Sequence, residues 1–185
     1  MAISFFLGTL AGMFFYNGSI PSQETKNDIL PLSAKTSTGV FISPNKFYDV
    51  VRTVDGDTLV VQLNGVAEKV RLIGLDTPEI VDPRKTVECF GKEASEEAKK
   101  ILTGQRVRLE TDPSQEERDK YGRLLAYVFL ENGANFNRLM IENGYGHEYT
   151  YDLPYKYQTE FKLAEKEARK NERGLWAKEA CGKNF

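Results

Sequence analysis

Thr58-Leu59-Val60-Val61-Gln62-Leu63-Asn64-Gly65-Val66-Ala67-Glu68-Lys69-Val70-Arg71-Leu72-Ile73-Gly74-Leu75-Asp76-Thr77-Pro78-Glu79 reads as two strand-forming runs joined by a tight turn. Asn-Gly is a strong short hairpin signal, because the central positions of a type I′ turn need positive φ. Thr58–Leu63 and Ala67–Leu75 supply the β-branched and apolar residues of the two arms. Charges intrude on this apolar pair: Asp57 before the first arm, Arg71 between Val70 and Leu72, and Asp76 and Glu79 at the far end. A carboxylate or guanidinium at such a place must be paired or must hold something.

Working outward, Phe47–Val54 is a third β-rich run, set off by Asp55-Gly56. Pro78 and Pro83 mark an irregular loop to about Glu88. Phe90, Ala94, Ala98, Ile101 and Leu102 share a helical face, with Gly104 as a stop. Arg106–Glu110 and Leu124–Leu130 read as strands. Phe136, Leu139 and Met140 predict a short helix stopped by Gly144; Tyr157, Phe161, Ala164 and Ala168 predict a longer, charged one stopped by Gly174. The order β-β-β-α-β-β-α-α predicts an α+β domain: a five-stranded, antiparallel OB-type β-barrel with three helices.

The 185 residues suit one domain plus a tail, and 41% hydrophobic with 28% charged residues excludes global disorder. The formal net charge of −2 excludes nucleic-acid binding by bulk electrostatics alone. The expected layout is a signal peptide or membrane anchor at 1–20, a linker at 21–45, a domain at 46–178 and a tail at 179–185. Ala2–Tyr16 carries no charge and is rich in Phe, so export or anchoring at the outer face of a membrane, through residues 2–20, is expected. Cys89 and Cys181 fit no zinc spacing; they are either two thiols or one disulfide tying the tail to the segment before the first helix.

A hairpin brings the start of its first arm close to the end of its second, so Asp57 and Asp76 can share a pocket. Two carboxylates, a backbone carbonyl and waters make an oxygen-only site suited to Ca2+ and also to Mg2+. The rival reading of Asp55 and Asp57 is turn chemistry, and that of Asp76 and Glu79 a solvated loop. Arg71 and Arg123 offer bidentate bonds to phosphate; their rival readings are a salt bridge or alternation site and a surface turn. His147 is the only histidine, and the Gly-x-Ser-x-Gly, HExxH and P-loop patterns are absent. A hydrolase built from this chain must use a carboxylate base and a metal.

Val-Asp-Gly-Asp-Thr (54–58), Arg-Leu-x-x-x-Asp-Thr-Pro-Glu (71–79), the Gly-x-Glu-Ala-Ser helix start (91–95), Asp-Lys-Tyr-Gly-Arg-x-Leu-Ala-Tyr (119–127) and Trp176 together resemble the staphylococcal nuclease, or thermonuclease, family. The resemblance covers about Phe47 to Trp176. It implies an OB-type barrel and Ca2+-dependent endonuclease action on DNA and RNA, leaving 3′-phosphate ends; single strands are the expected preference, and a monomer is the default expectation. It implies that Asp57, Asp76 and the Thr77 carbonyl ligate Ca2+, with Asp55 behind them. Glu79 would hold the attacking water and act as base, and Arg71 and Arg123 would bind the scissile phosphate. Lys120, Tyr121, Tyr149 and Tyr151 would hold the terminal phosphate and stack on the nucleotide; the plain reading of the last two is barrel-rim packing.

Two departures stand out: well-known members are strongly basic and lack the cysteine pair. The tail does not explain the acidity, since before Lys46 it carries Lys26 and Lys35 against Glu24 and Asp28. Two other classes compete with a nuclease: a non-catalytic nucleic-acid-binding OB module, and a surface-anchored calcium-binding protein. The first is disfavoured because every matched acid and arginine is present, the second because it leaves the arginine pair without a role.

Overall fold

Asn64 and Gly65 both adopt positive φ, +50° and +88°, and the hairpin forms around them as the sequence predicts. The computed structural model describes residues 41–80 and 88–181. Strand β2 (Thr58–Leu63) pairs antiparallel with β3 (Val66–Leu72), in a register that sets Thr58 opposite Arg71 and Leu63 opposite Val66. Strand β1 (Phe47–Thr53) pairs with β2 through an irregularity between Val50 and Arg52. Such a bulge adds local twist, which helps a sheet curl toward closure.

The expected third strand is two elements. Ile73-Gly74 breaks it, and β4 (Leu75–Asp76) leaves the barrel to pair with β7 (His147–Glu148). Gly74 has φ +75°, and a Cβ there would lie 2.5 Å from the Tyr155 ring. The chain can turn this tightly only without a side chain.

Strand β5 (Arg106–Glu110) pairs antiparallel with β1 and with β6 (Leu124–Phe129). The barrel closes in the order β1-β2-β3-β6-β5. Its β3–β6 seam is parallel, with Val70 opposite Leu124, which corrects the expectation of an all-antiparallel sheet. The reason is the connection. A parallel pair needs a long crossover, and here a helix and two strands lie between the partners.

Leu59, Val61, Leu63, Val70, Leu72, Val107, Leu109, Leu124, Ala126 and Val128 fill the core. Helix α1 (Gly91–Leu102) buries Gly91, Ala94, Ser95, Ala98 and Leu102, while Phe90 and Ile101 are half-buried. Helix α2 (Phe136–Glu142) buries Asn137 completely. That amide accepts from Val128 N at 3.0 Å and donates to Ile73 O at 2.8 Å, satisfying the groups exposed where the third strand breaks. Helix α3 (Gln158–Lys170) buries Phe161, Ala164 and Ala168.

Gly174 is not the stop of α3. The helix ends at Lys170, and Gly174 opens a 3-10 turn (Gly174–Trp176) packed backbone to backbone on Gly144, where Leu175 N donates to Gly144 O at 2.8 Å. Cys89 and Cys181 form a disulfide with Cα atoms 5.6 Å apart, so the disulfide reading of the pair holds. The apolar Ala2–Tyr16 stretch and the loop around Pro83 lie outside the described residues. No helix among the described residues is long and apolar enough to cross a membrane.

Candidate functional site

Asp57 is 7% exposed and organises one end of the barrel. Its Oδ2 accepts from Thr77 N at 2.9 Å and Thr77 Oγ1 at 3.1 Å; its Oδ1 accepts from Thr58 Oγ1 at 3.0 Å and meets Arg71 Nη1 at 2.9 Å. The Thr58–Arg71 register explains the last contact, because the residue before Thr58 then lies beside the guanidinium. Arg71 also donates from Nη1 to Leu75 O at 2.7 Å and from Nη2 to Asp76 Oδ1 at 2.7 Å. The guanidinium therefore bridges Asp57 and Asp76, and both carboxylates converge on it as the hairpin predicts. Arg71 is salt-bridged, as the rival reading has it, and it also lines a cleft.

Thr77 is buried between two close approaches. A Cβ on Gly56 would lie 2.7 Å from the Thr77 side chain, and one on Gly146 would lie 2.7 Å from Asp76 O. The Asp76-Thr77 main chain is thus fixed by two positions that tolerate no side chain.

Negative charge is crowded here. Burial pushes the Asp55 carboxyl up to about 7, and the neighbouring Asp57 charge adds to the rise. Burial also raises Asp76, against the pull of Arg71 and with a push from Asp57. Among the described residues no three acidic, histidine or cysteine side chains form a ready-made metal cage. The oxygens that meet are those of the Asp57 and Asp76 carboxylates, joined by Arg71, with the Thr77 N–H and hydroxyl held on Asp57; two hard, charged oxygen donors are a set that fits Ca2+.

A cleft of about 680 Å³ opens beside Arg71 and Asp76. Its walls bring in Lys120, Tyr121, Arg123, Tyr149 and Tyr151, so seven of the ten predicted site residues share one cavity. Asp57 and Thr77 lie behind the wall, joined to it through Arg71 and the Asp76 main chain. Glu79 does not line the cleft; its N–H donates to Glu88 Oε2 at 2.9 Å and its carbonyl accepts from Glu88 N at 2.9 Å. Tyr121 and Tyr151 are more than 70% exposed, and the Tyr149 and Tyr151 rings lie 6.3 Å apart. The Tyr151 ring is too open to water to be packed against the barrel rim.

The sequence reading missed the residues that hold the cleft in shape. Asp119 Oδ1 accepts from Tyr121 N and Arg123 N, each at 2.9 Å, and Oδ2 accepts from Arg123 Nε at 2.6 Å. Burial alone raises the Asp119 carboxyl, but the Arg123 N–H and guanidinium outweigh it and hold the group below the usual carboxylate range. The signal was present in the spacing Asp-Lys-Tyr-Gly-Arg, an acid whose side chain can cap the turn it begins. Arg118 Nη1 binds Gly122 O and Glu68 Oε1 of β3, both at 2.7 Å, tying that turn to the barrel. No local pattern announces this pair, since its members are 50 residues apart.

Residues 69–178 match the family described as Staphylococcal nuclease homologue. The thermonuclease of Staphylococcus hyicus is 41% identical over 141 residues, 76% of this chain and 82% of that protein. The thermonuclease of Staphylococcus intermedius is 44% identical over 142 residues, 77% of this chain and 81% of the other. Endonuclease YncB of Bacillus subtilis is 34% identical over 161 residues, covering 85% and 75%.

Proposed function

Because the chain belongs to the staphylococcal nuclease family, we propose that it is a Ca2+-dependent endonuclease that cleaves DNA and RNA, preferring single strands and leaving 3′-phosphate ends. One observation carries the reading: Asp57 and Asp76 converge on Arg71 at the edge of a cleft that also gathers Arg123, Lys120 and three exposed tyrosines. That collection suits one cation, one phosphate and stacked bases.

Asp57, Asp76 and the Thr77 carbonyl would hold the ion, which when bound supplies fixed positive charge beside the scissile phosphate. Glu79 takes a proton from the attacking water. The water oxygen bonds to phosphorus, the bond from phosphorus to the 5′-oxygen breaks, and the departing oxygen takes up a proton. The phosphate stays on the 3′-oxygen. Arg71 and Arg123 stabilise the charge that grows on the equatorial oxygens. In this reading Arg71 gives up part of its bonding to Asp76 for the phosphate. Tyr121, Tyr149 and Tyr151 stack on bases without selecting sequence, and Lys120 meets a terminal phosphate.

We also propose that the protein acts as a monomer after export or while anchored by residues 2–20, on the basis of the charge-free Ala2–Tyr16 stretch. The test is to incubate the full chain with labelled single-stranded DNA, in Ca2+ or in chelator, and to identify the ends. Cleavage in Ca2+ alone with 3′-phosphate products is expected. Intact oligonucleotide in ample Ca2+, or 5′-phosphate products, would refute the proposal. Glu79→Gln separates it from a non-catalytic binding module, which would keep its function in that variant.

A further inference from the structure

The start of α1 is not held by the usual means. Its N-cap, Phe90, has φ +67° and makes no side-chain capping bond. A capping side chain would ordinarily fix this junction. Other contacts replace it. Phe90 packs on Tyr145 with ring centroids 5.8 Å apart. Gly91 N donates to Glu88 O at 3.1 Å, and a Cβ on Gly91 would lie 2.9 Å from Pro78 O and 2.5 Å from Ile80 Cγ2. The first turn of α1 therefore presses on the Pro78 carbonyl and the Ile80 side chain, on the two residues that flank Glu79.

Glu88 adds a direct link through its two hydrogen bonds with the Glu79 main chain, each 2.9 Å. The next residue is Cys89, joined to Cys181. The tail that bears Cys181 is anchored in turn: Ala180 N donates to Ala177 O, and Leu175 N donates to Gly144 O at the end of α2. A continuous path of bonds runs from α2 through the tail and the disulfide to Glu88 and then to Glu79.

From this path we infer that the Cys89–Cys181 disulfide and the Glu88 carboxylate are positioning groups for Glu79: they fix its main chain and thereby set the rate of the chemical step. The inference rests on the reading of Glu79 as the base. It assigns the cysteine pair a role in the reaction beyond staple strength, although neither sulfur lines the cleft. A small displacement of a catalytic group lowers kcat far more than it alters binding, so the effect belongs in kcat.

The test compares wild type, Cys89→Ser/Cys181→Ser, Glu88→Ala and Glu88→Gln at a temperature where all four are folded by circular dichroism. Hydrogen exchange at the Glu79 and Glu88 amides is read in parallel. The paired serine variant and Glu88→Ala are expected to lose kcat by about 10- to 100-fold with KM within about 2-fold. Their Glu79 amide should exchange faster, and Glu88→Gln, which keeps an acceptor oxygen, should recover most of the rate. In a Glu79→Gln background the serine pair should cost no further rate. Unchanged kcat and unchanged exchange in the serine variant would overturn the inference while leaving the nuclease reading intact. So would an equal loss in the Glu79→Gln background. A wild-type rate that Glu79→Gln leaves untouched would overturn the assignment of the base instead.

Discussion

Asp112 is a carboxylate outside the cleft with four hydrogen-bond donors around it, and its removal tests how the barrel is tied to α3. It is 6% exposed. Its Oδ2 accepts from the Tyr127 hydroxyl at 2.6 Å and Lys156 N at 2.7 Å; its Oδ1 accepts from Ser114 N at 2.9 Å and Ser114 Oγ at 2.8 Å. One side chain so joins the segment after β5, strand β6 and the approach to α3. Asp112→Ala strands the hydroxyl of the fully buried Tyr127 and the two main-chain donors. Leaving a buried donor unsatisfied costs about 1–3 kcal/mol, and Ser114 and Lys156 lie closer to water, so the expected loss is about 3–5 kcal/mol. Asp112→Asn keeps one acceptor but aims an NH2 at donors, and should cost about 2 kcal/mol. Urea unfolding gives both values. A Tyr127→Phe cycle should show that the two sites are not additive.

The pH dependence has a definite sign. Burial by itself raises the Asp112 carboxyl, but the Lys156 N–H, the Tyr127 hydroxyl and Ser114 outweigh it, and the group sits below its ordinary value of 3.8. A depressed folded value means that the stabilisation is present above the unfolded value and lost as pH falls through the folded one. The advantage of wild type over Asp112→Asn should therefore be full at pH 7 and shrink in strong acid. An Asp112→Ala variant within 1 kcal/mol of wild type, or a difference independent of pH, would refute the reasoning.

Asp55 has the opposite sign: its folded value is raised to about 7, so its ionisation opposes folding, and stability is lost as pH rises through that value. Asp55→Asn should melt above wild type at pH 8 and together with it at pH 3 by scanning calorimetry, and Ca2+ should lower the Asp55 value in a carboxyl NMR titration. Glu68→Gln should loosen the Lys120–Arg123 turn and weaken single-stranded DNA binding by about 2- to 10-fold with saturated kcat unchanged, as steady-state kinetics would show. Tyr151→Ala should weaken oligonucleotide binding by about 5-fold, the lower end of base stacking at ~1 kcal/mol, measured by fluorescence anisotropy in Ca2+ with Glu79→Gln as the non-cleaving parent. The net charge of −2 predicts a shallow salt dependence. With Arg71, Arg123 and Lys120 as phosphate contacts, log K against log salt should have a slope of about −2 for single strands, and a slope twice as steep would contradict it.

The sequence by itself determined what near neighbours encode. Asn64-Gly65 specified the β2–β3 hairpin, alternating and helical periodicities located five barrel strands and three helices, and the motifs with the resemblance they carry marked seven residues that meet in one cleft: Asp76, Arg71, Arg123, Lys120 and three tyrosines. Such signals survive because turn chemistry and side-chain period act over a few residues. Only the tertiary structure decided the break at Gly74, the parallel β3–β6 seam, the bridging of Asp57 and Asp76 by Arg71, the Glu68–Arg118 tie and the choice of disulfide over free thiols. The break answers a tyrosine 81 residues away, and the disulfide spans 92. Whether a guanidinium meets a phosphate, a carboxylate or water depends on which distant segments the closed barrel brings beside it, and no local pattern carries that information.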